Sequence, residues 1–327
     1  MCCIDRLKWQ HIAVIEQFRD NMLSSQRLHN SAVRQQSNIM RRLLILSLII
    51  VVGGTWGVFT YGGALAKPSQ HDVGLPPDDL DVEVIKIPRS NSTPIAGWYV
   101  TGDRNGAGVL LLHGIRSNRL QMVERARFLN NAGYSILLID MQGHGETAGK
   151  HITFGYRESI DAHKALEYLK SRIPGRPIGV IGVSLGGAAT LLGTTPIEAN
   201  AVVLESVYSS FEQAVQNRLE IRFGEYGRLF APLLLWQVKP RLDISLESLS
   251  PVAAIPKLSS PVLIISGTED KRTLPIEAKD LFSNAPEPKS LWMVEGAKHQ
   301  DLHLFNPGQY ENRILQFFQQ YLRHHAA

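Results

Sequence analysis

The clearest candidate for chemistry in this chain is a serine between two glycines. Ser184 lies between Gly182 and Gly186, directly after the apolar run 178–183. This G-x-S-x-G spacing is typical of a strained strand-to-helix turn, because only small residues two positions away let the strand and the helix approach. Such a turn exposes the hydroxyl and directs the next amide, that of Leu185, toward a substrate oxyanion. The alternative interpretation is a glycine-rich turn with an incidental serine.

A serine hydroxyl becomes a nucleophile only when a base takes its proton and an acid orients that base. In enzymes built on this turn, the order along the chain is serine, acid, histidine. Asp270 follows the apolar run 261–267 by three residues, and His299 follows the short run 290–295. Both positions are expected at the same edge of a sheet as Ser184. We therefore predict that Ser184, Asp270 and His299 form a catalytic triad.

Other residues compete for these roles. Glu269 neighbours Asp270, and Glu205 ends the strand 201–204, an edge position from which some hydrolases recruit their acid. His303 is a weak competitor of His299, one helical turn further on. His113 precedes the nucleophile and is expected to order its loop rather than act as a base, and His144 is expected to be a turn residue.

Four segments together resemble the α/β-hydrolase superfamily, and more narrowly its serine esterase and acyl-peptidase-like branch with a small helical cap. They are LLHGIRSNR at 111–119, DMQGHGE at 140–146, the serine turn, and the two loops that carry the acid and the histidine. The resemblance covers roughly residues 81 to 323.

The resemblance implies that the amide of Ile115, directly after the His-Gly pair, completes an oxyanion hole with that of Leu185. It implies a hydrolase that needs no cofactor. Gln142 stands where the family commonly has arginine, and we expect this departure to affect only loop architecture. Histidines, cysteines and carboxylates do not recur at metal-ligand spacing, so no metal is predicted.

The elements around these residues predict an α/β fold. Short apolar runs with little alternation are expected for strands covered on both faces of a parallel sheet. The two earliest runs alternate more and predict an antiparallel edge. Helical patterns lie between the strands, and the expected core stripes are Ile160, Ala165, Leu166 and Leu169 in 157–173 and Ile314, Phe317, Phe318 and Tyr321 in 311–322. The predicted strands are 81–87, 95–101, 109–112, 136–139, 178–183, 202–204, 262–265 and 291–294.

A connection of about 206–258 is too long for a simple link between strands. We interpret it as a helical cap that lies over the serine and contributes an apolar acyl pocket. The alternative is an extended but ordinary packing helix. Its large apolar residues are Phe211, Leu219, Ile221, Phe223, Tyr226, Leu229, Phe230, Leu233, Leu234, Leu235 and Trp236.

The first part of the chain concerns location. A basic segment, 1–42, precedes an apolar one, 43–66, which can cross a bilayer as a helix because about 20 residues suffice. The apolar segment is predicted to be a transmembrane signal anchor, with its membrane contact at 43–61. The alternative is a signal peptide cut after Ala66, in which case Met40 is a possible start. Residues 67–80 are interpreted as a linker, and the hydrolase domain is expected at 81–327.

Charge predicts the orientation. Residues 1–42 hold seven Lys or Arg against three Asp or Glu, and the remainder holds 27 of each sign. A basic flank before an apolar run keeps the N-terminus cytoplasmic and places the hydrolase domain outside the cytoplasm, as a membrane-anchored or, if cut, a secreted or periplasmic protein. The neutral remainder gives no reason to expect a nucleic-acid partner. No protein partner is inferred.

The predicted activity is hydrolysis of a small-molecule ester or other acyl substrate through an acyl-enzyme on Ser184. Two alternatives stay open, a peptidase or amidase that cleaves acyl-amino substrates and a membrane-tethered binding module without activity. The pattern does not indicate the acyl length or the physiological substrate, because this fold hosts many reactions.

Overall fold

The computed structural model describes residues 3–89 and 92–322, and it groups the chain into two compact units, Met1–Val58 and Phe59–Ala327. The first unit is helical. Its helix, α1 (Cys3–Leu65), contains a window of mean hydropathy 2.2 in which no residue is buried. By length and composition this helix can cross a membrane. The predicted segment 43–66 lies mostly within it, whereas the predicted segment 1–42 begins outside the described residues.

The second unit is built on an eight-stranded sheet, with a separate two-stranded one. The strands are β1 (Ser69–Gln70), β2 (Val82–Arg89), β3 (Ser92–Val100), β4 (Gly108–Leu112), β5 (Ser135–Ile139), β6 (His144–Gly145), β7 (Ile178–Val183), β8 (Ala201–Glu205), β9 (Val262–Gly267) and β10 (Lys289–Val294). The large sheet has the order β10-β9-β8-β7-β4-β5-β3-β2, and β1 pairs with β6. Strands β4, β5 and β7 to β10 run parallel, and β2 and β3 form an antiparallel edge, which confirms the predicted sheet.

Helices flank this sheet and follow its strands along the chain. They are α2 (Val123–Asn131), α3 (Glu158–Arg172), α4 (Leu185–Leu191), α9 (Pro275–Asn284), α10 (Leu302–Phe305) and α11 (Pro307–Tyr321). Strands β4, β5, β7, β8 and β9 are buried along their whole length, which is why their sequences are apolar without alternation.

The core stripe predicted for α3 is wrong at one residue. Ile160 is 56% exposed, whereas Glu158 and Asp161 are buried. The carboxylate of Glu158 accepts hydrogen bonds from the amides of Thr153 and Gly155, at 2.8 and 2.9 Å. These loop amides need an acceptor inside the protein, so polar residues occupy the buried face of the first turn and Ile160 turns outward.

The connection between β8 and β9 is helical, as predicted, and is called the cap here (residues 206–258). It contains α5 (Phe211–Phe223), α6 (Ala231–Leu235), α7 (Val238–Leu242) and α8 (Pro251–Ala254), with 3-10 turns at Glu225–Phe230, Glu247–Leu249 and Ile255–Lys257. The side chain of Ser210 accepts a hydrogen bond from the amide of Gln213 and so begins α5.

Candidate active site

Ser184 occupies a strained turn between β7 and α4. Its φ of 50° and ψ of −105° lie in a region that side-chain-bearing residues rarely adopt. A Cβ added to Gly186 would lie 2.3 Å from the carbonyl oxygen of Leu112, and one added to Gly182 would lie 2.6 Å from the carbonyl of Gly186. Both glycines are therefore required for the close approach of strand, turn and helix, as the spacing predicts.

Asp270 and His299 are brought together by the loops after β9 and β10. The Oδ2 atom of Asp270 lies 2.7 Å from Nδ1 of His299. Asp270 is buried and also accepts hydrogen bonds from the amides of Arg272 and Thr273, at 2.8 and 2.9 Å, and from the hydroxyl of Thr273, at 2.7 Å. These contacts fix the carboxylate and, through it, the imidazole.

The charge state of Asp270 determines which nitrogen of His299 carries the proton. Burial acts to raise the pKa of Asp270, but hydrogen bonds from His299 and Thr273 outweigh it, so the pKa lies below its usual value. An ionised carboxylate only accepts hydrogen bonds, so Nδ1 of His299 is the protonated nitrogen of the neutral ring. The lone pair then lies on Nε2, where a base must have it.

Ser184 and His299 line the same cavity. The hydrogen bonds of the described residues include none between the Ser184 hydroxyl and the imidazole. Such contacts are often long without substrate and shorten in the reactive complex, and the serine hydroxyl is free to rotate.

Two backbone amides next to Ser184 lack acceptors. Among the hydrogen bonds of residues 3–89 and 92–322, none uses the amide hydrogens of Ile115 or Leu185. Leu185 is the first residue of α4, where the helix dipole favours a negative charge. The loop of Ile115 is adjacent, because a Cβ added to Gly114 would lie 3.8 Å from Cβ of Ser184.

His113 sets the orientation of the amide of Ile115. Its Nδ1 lies 2.7 Å from the carbonyl oxygen of Gly114, and its Nε2 lies 3.1 Å from the amide nitrogen of Met141. A carbonyl only accepts and an amide only donates, so the ring is neutral with its proton on Nδ1. In a trans peptide the C=O of Gly114 and the N–H of Ile115 point in opposite directions. Holding the carbonyl therefore aims the amide.

The electrostatic environment keeps this ring neutral. Burial lowers the pKa of His113 to about 3, and the nearby ring of His144 adds to the effect. The two rings meet edge to face, with centroids 5.1 Å apart. The Nδ1–H of His144 donates to the carbonyl oxygen of Gln142, 2.9 Å away. Both histidines therefore order loops.

The competing acids and bases lie elsewhere. Glu205 is buried against the Arg125 guanidinium, with contacts of 2.8 and 3.1 Å, and the Tyr310 hydroxyl donates to it. Glu269 is exposed. His303 is buried, with its Nε2 2.8 Å from Glu311. The structure thus brings only Asp270, of the three carboxylates considered, to within hydrogen-bond distance of His299.

The cavity above Ser184 has a volume of about 380 Å³, within the range of ligand pockets. Its walls are mainly apolar, and the cap supplies several of them. Its lining includes Phe154, Tyr208, Phe211, Ala214, Val215, Leu219 and Leu234. Only some of the large apolar residues expected to line the pocket do so, because each short cap helix buries one face and exposes the other.

Residues 59–66, the end of α1 and the residue after it, form another wall. Tyr61 and Leu65 line the cavity beside Ser184. The Nη2 atom of Arg116 donates to the carbonyls of Ala64 and Leu65, at 2.6 and 3.0 Å, as expected for a cation at a helix C-terminus. Ala66 is 2% exposed, and its carbonyl accepts from the amide of Ile152 at 2.9 Å.

The cap holds the same segment from the other side. The Nη2 atom of Arg241 donates to the carbonyl of Phe59 at 2.8 Å, and its guanidinium lies 4.4 Å from the centre of the Phe59 ring. A Cβ added to Gly62 would lie 2.5 Å from Oε1 of Gln237. The backbone at Gly62 therefore packs directly on the cap.

Three arginines line or border the cavity. Arg116, Arg218 and Arg272 contribute to its lining, and that lining contains no carboxylate among the described residues. Burial, and then the charge of Arg272, lowers the pKa of Arg218. In contrast, Arg119 is buried in ion pairs with Asp140 and Glu146 and is not available to a substrate.

Sequence reasoning missed three contributions to this site. Thr273 supports Asp270 with its hydroxyl and its amide. Tyr61 and Leu65 come from the apolar segment, which composition alone assigns to a membrane. Residues two to three positions past an acid at a strand end commonly donate hydrogen bonds to its side chain, so Thr273 had a recognisable signal. The two wall residues had none.

Comparisons with known proteins are consistent with this geometry. Residues 103–248 match the sequence model of the family described as serine aminopeptidase, S33. The uncharacterized protein YqkD of Bacillus subtilis is 24% identical over 76% of this chain and 82% of its own length. The alpha/beta hydrolase domain-containing protein 17B of Homo sapiens is 28% identical over 74% of this chain and 76% of its own length.

A solved structure gives the same fold. The esterase Pf2001 of Pyrococcus furiosus superposes with a TM-score of 0.64 at 22% identity, over 79% of this chain and 100% of that one. At this identity the likeness concerns the fold alone.

Proposed function

Because the chain belongs to the α/β-hydrolase superfamily, we propose that it is a serine hydrolase that cleaves carboxylic esters through an acyl-enzyme. The observation that carries the proposal is the pair Asp270–His299, joined at 2.7 Å, whose imidazole faces the cavity of the strained Ser184. A purely structural role for this pair would not explain why Ser184, which lines the same cavity, is held at positive φ.

In the proposed reaction, Nε2 of His299 takes the proton of the Ser184 hydroxyl while Oγ bonds to the ester carbonyl carbon. The amides of Ile115 and Leu185 donate to the resulting oxyanion. The imidazolium returns the proton to the leaving alcohol as the ester C–O bond breaks. Water, deprotonated by the same nitrogen, then releases the carboxylic acid and restores the serine.

The cavity favours an ester with an apolar acyl group. Its aromatic and aliphatic lining desolvates a hydrocarbon chain, whereas its charged lining residues, Arg116, Arg218 and Arg272, suit a neutral or anionic group better than a cation. A free α-amino group needs a carboxylate partner, and the described lining has none. This argues against an aminopeptidase, which must recognise the free α-amino group of its peptide substrate.

An amidase that accepts blocked, acyl-amino substrates is the second candidate. It is favoured by the match to a family described as serine aminopeptidase, and it uses the same triad. The two are distinguished by comparing matched p-nitrophenyl esters and p-nitroanilides of the same acyl group. A non-catalytic binding role remains as the third candidate and predicts no turnover of either.

The direct test is hydrolysis of p-nitrophenyl esters of rising acyl length by the full chain in mild detergent. We expect activity that is lost in Ser184→Ala, because removing such a nucleophile lowers kcat by about 10⁶-fold. Ser171→Ala, on the exposed surface of α3, is the matched control and should retain activity. A folded wild type with no turnover of any ester or anilide contradicts the proposal.

For location, we propose that the apolar segment is retained as a membrane anchor and that the hydrolase unit lies outside the cytoplasm. Cleavage after Ala66 would remove Tyr61 and Leu65 from the cavity and leave the side chain of Arg116 without its two carbonyl partners. The intact mass of the protein extracted from membranes tests this. A mature chain that begins at Lys67 refutes it.

A further inference from the structure

The cap carries an apolar surface that no other part of the described chain covers. Phe223 and Phe230 lie on it with ring centroids 6.5 Å apart, and α5 and α6 both contact the 3-10 turn Glu225–Phe230 between them. Its large side chains are 49% to 73% exposed. We call this surface the cap face, and its residues are Ile221, Phe223, Tyr226, Leu229, Phe230, Leu233 and Trp236.

The cap face and the cavity lie on opposite sides of the same helices. On α6, Leu234 points into the cavity while its neighbour Leu233 is exposed, and on α5, Leu219 lines the cavity while Ile221 is exposed. The exposed residues therefore do not belong to the catalytic cavity. A soluble surface rarely tolerates such an apolar patch without a partner.

The residues that follow the cap face along the chain indicate that its partner is lipid. Trp236 directly precedes Gln237, which packs against Gly62, and Arg241 binds Phe59. These contacts hold the point at which the membrane-compatible segment joins the hydrolase unit. Gln237 precedes α7 and Arg241 lies on it, so the residues that grip the end of that segment directly follow the cap face along the chain.

The composition of the cap face also fits a lipid interface. Tryptophan and tyrosine prefer the interfacial layer of a bilayer, and basic side chains beside them contact lipid phosphates. Arg222 and Arg228 are exposed within the stretch that carries the cap face, with Arg228 paired to Glu220 and with Glu225 also exposed, and the exposed Lys239 follows Trp236 by three residues.

We propose that the cap face rests in the interfacial layer of the bilayer that holds the apolar residues before Phe59, and that the cavity receives the acyl chain of an amphiphilic ester from that bilayer. This inference rests on the anchored hydrolase proposed above. The anchor keeps the cap near lipid in every molecule, so the interface needs no further protein. A second copy of this chain is the competing occupant.

The first experiment measures lipid contact alone, without catalysis. Trp236→Cys is introduced into the full chain with Cys2→Ser and Cys3→Ser, labelled with an environment-sensitive fluorophore, and reconstituted in phosphatidylcholine and phosphatidylglycerol vesicles. Leu75→Cys, at a position 91% exposed and outside the cap, is the matched control. We expect spin-labelled lipid to quench the probe at 236 and iodide to quench the probe at 75.

Iodide quenching of both probes overturns the inference. A dimer would give two signs: the probe at 236 loses its shielding when the protein is diluted into excess lipid, and that cysteine cross-links two copies. This result assigns the cap face to a dimer and also overturns the inference.

The second experiment tests substrate delivery. The variant with Tyr226→Ser, Leu229→Ser and Trp236→Ser changes only exposed cap residues. We expect kcat/KM for water-soluble p-nitrophenyl acetate to stay at the wild-type value, and turnover of a long-chain ester embedded in the vesicles to fall about tenfold or more, because buried apolar area is lost at the interface.

An equal loss on both esters, or no loss on either, contradicts delivery from the bilayer. If the wild type cleaves neither ester, the proposed hydrolase fails, whereas the fluorescence result still decides where the cap face lies. The two failures are therefore distinguishable.

Discussion

The orientation of the Ile115 amide by His113 leads to a prediction that separates the two ring nitrogens. The side-chain amide of asparagine reaches the position of Nδ1, and that of glutamine reaches Nε2. His113→Asn can therefore still donate to the Gly114 carbonyl, whereas His113→Gln can still accept from the amide of Met141. We compare these two variants in the full chain.

The magnitudes follow from what each variant loses. His113→Gln frees the Gly114 carbonyl and misaligns one oxyanion donor, so kcat should fall about 10²- to 10³-fold with little change in KM. His113→Asn should lose about tenfold or less in kcat, because the carbonyl stays anchored. It leaves the amide of Met141 buried without an acceptor, so the free energy of unfolding should fall by about 1–3 kcal/mol.

The assay combines ester kinetics with urea unfolding of both variants. Equal kcat in His113→Gln and His113→Asn would refute the reasoning, since the kinetic effect would then come from general disruption rather than from the Gly114 contact. A larger kcat loss in the asparagine variant would refute it as well.

Four further outcomes test other parts of the argument. With the pKa of His113 lowered from 6.5 to about 3 in the folded state, the unfolded chain binds the extra proton. The stability that depends on a neutral His113 is fully present above pH 6.5 and is lost as the pH falls toward 3. At pH 5 the free energy of unfolding should therefore be about 2 kcal/mol lower, an effect absent in His113→Gln. Asp270→Asn should lower kcat about 10⁴-fold, because His299 loses the partner that fixes its tautomer, and ester kinetics check this. Glu205→Gln should lower the free energy of unfolding by about 3 kcal/mol in urea titrations while leaving kcat within a few-fold; a loss like that of Asp270→Asn would instead make Glu205 the acid. Arg116→Ala should raise KM for long acyl esters more than for acetate, whereas Arg116→Lys should preserve part of the contact with the carbonyls of Ala64 and Leu65. An unchanged KM in both variants contradicts a role for residues 59–66 as a cavity wall.

The sheet was predictable because its strands are covered on both faces, and that requirement shows directly in runs such as 178–183 and 109–112. The requirement for a small residue at Gly182 was equally local, since a Cβ there would meet the backbone of Gly186, whereas Gly186 must be small because β4 passes close to it at Leu112. The positions of Asp270 and His299 followed from the rule that parallel strands end at one edge of the sheet.

What sequence reasoning missed depends on contacts between distant parts of the chain. An apolar pattern indicates that Ile160 or Trp236 can be buried. It does not indicate whether another element packs on that side of the helix. The polar start of α3 is buried because loop amides around Thr153 need acceptors, which no periodicity reveals. Leu65 lies in a segment whose composition is the same whether it contacts lipid or a substrate.

The contacts of Arg125 have a consequence for the time at which the site is completed. Its guanidinium binds the carboxylates of Glu205 and Asp301 and donates to the hydroxyl of Tyr310. The carbonyl of Glu205 accepts from the amide of Ser184, and Asp301 lies two residues after His299. Synthesis runs from the N-terminus, so Ser184 emerges from the ribosome well before Asp301 and Tyr310. Under the proposed mechanism, we therefore expect no ester hydrolysis by a nascent chain that still lacks the residues from His299 to Tyr310.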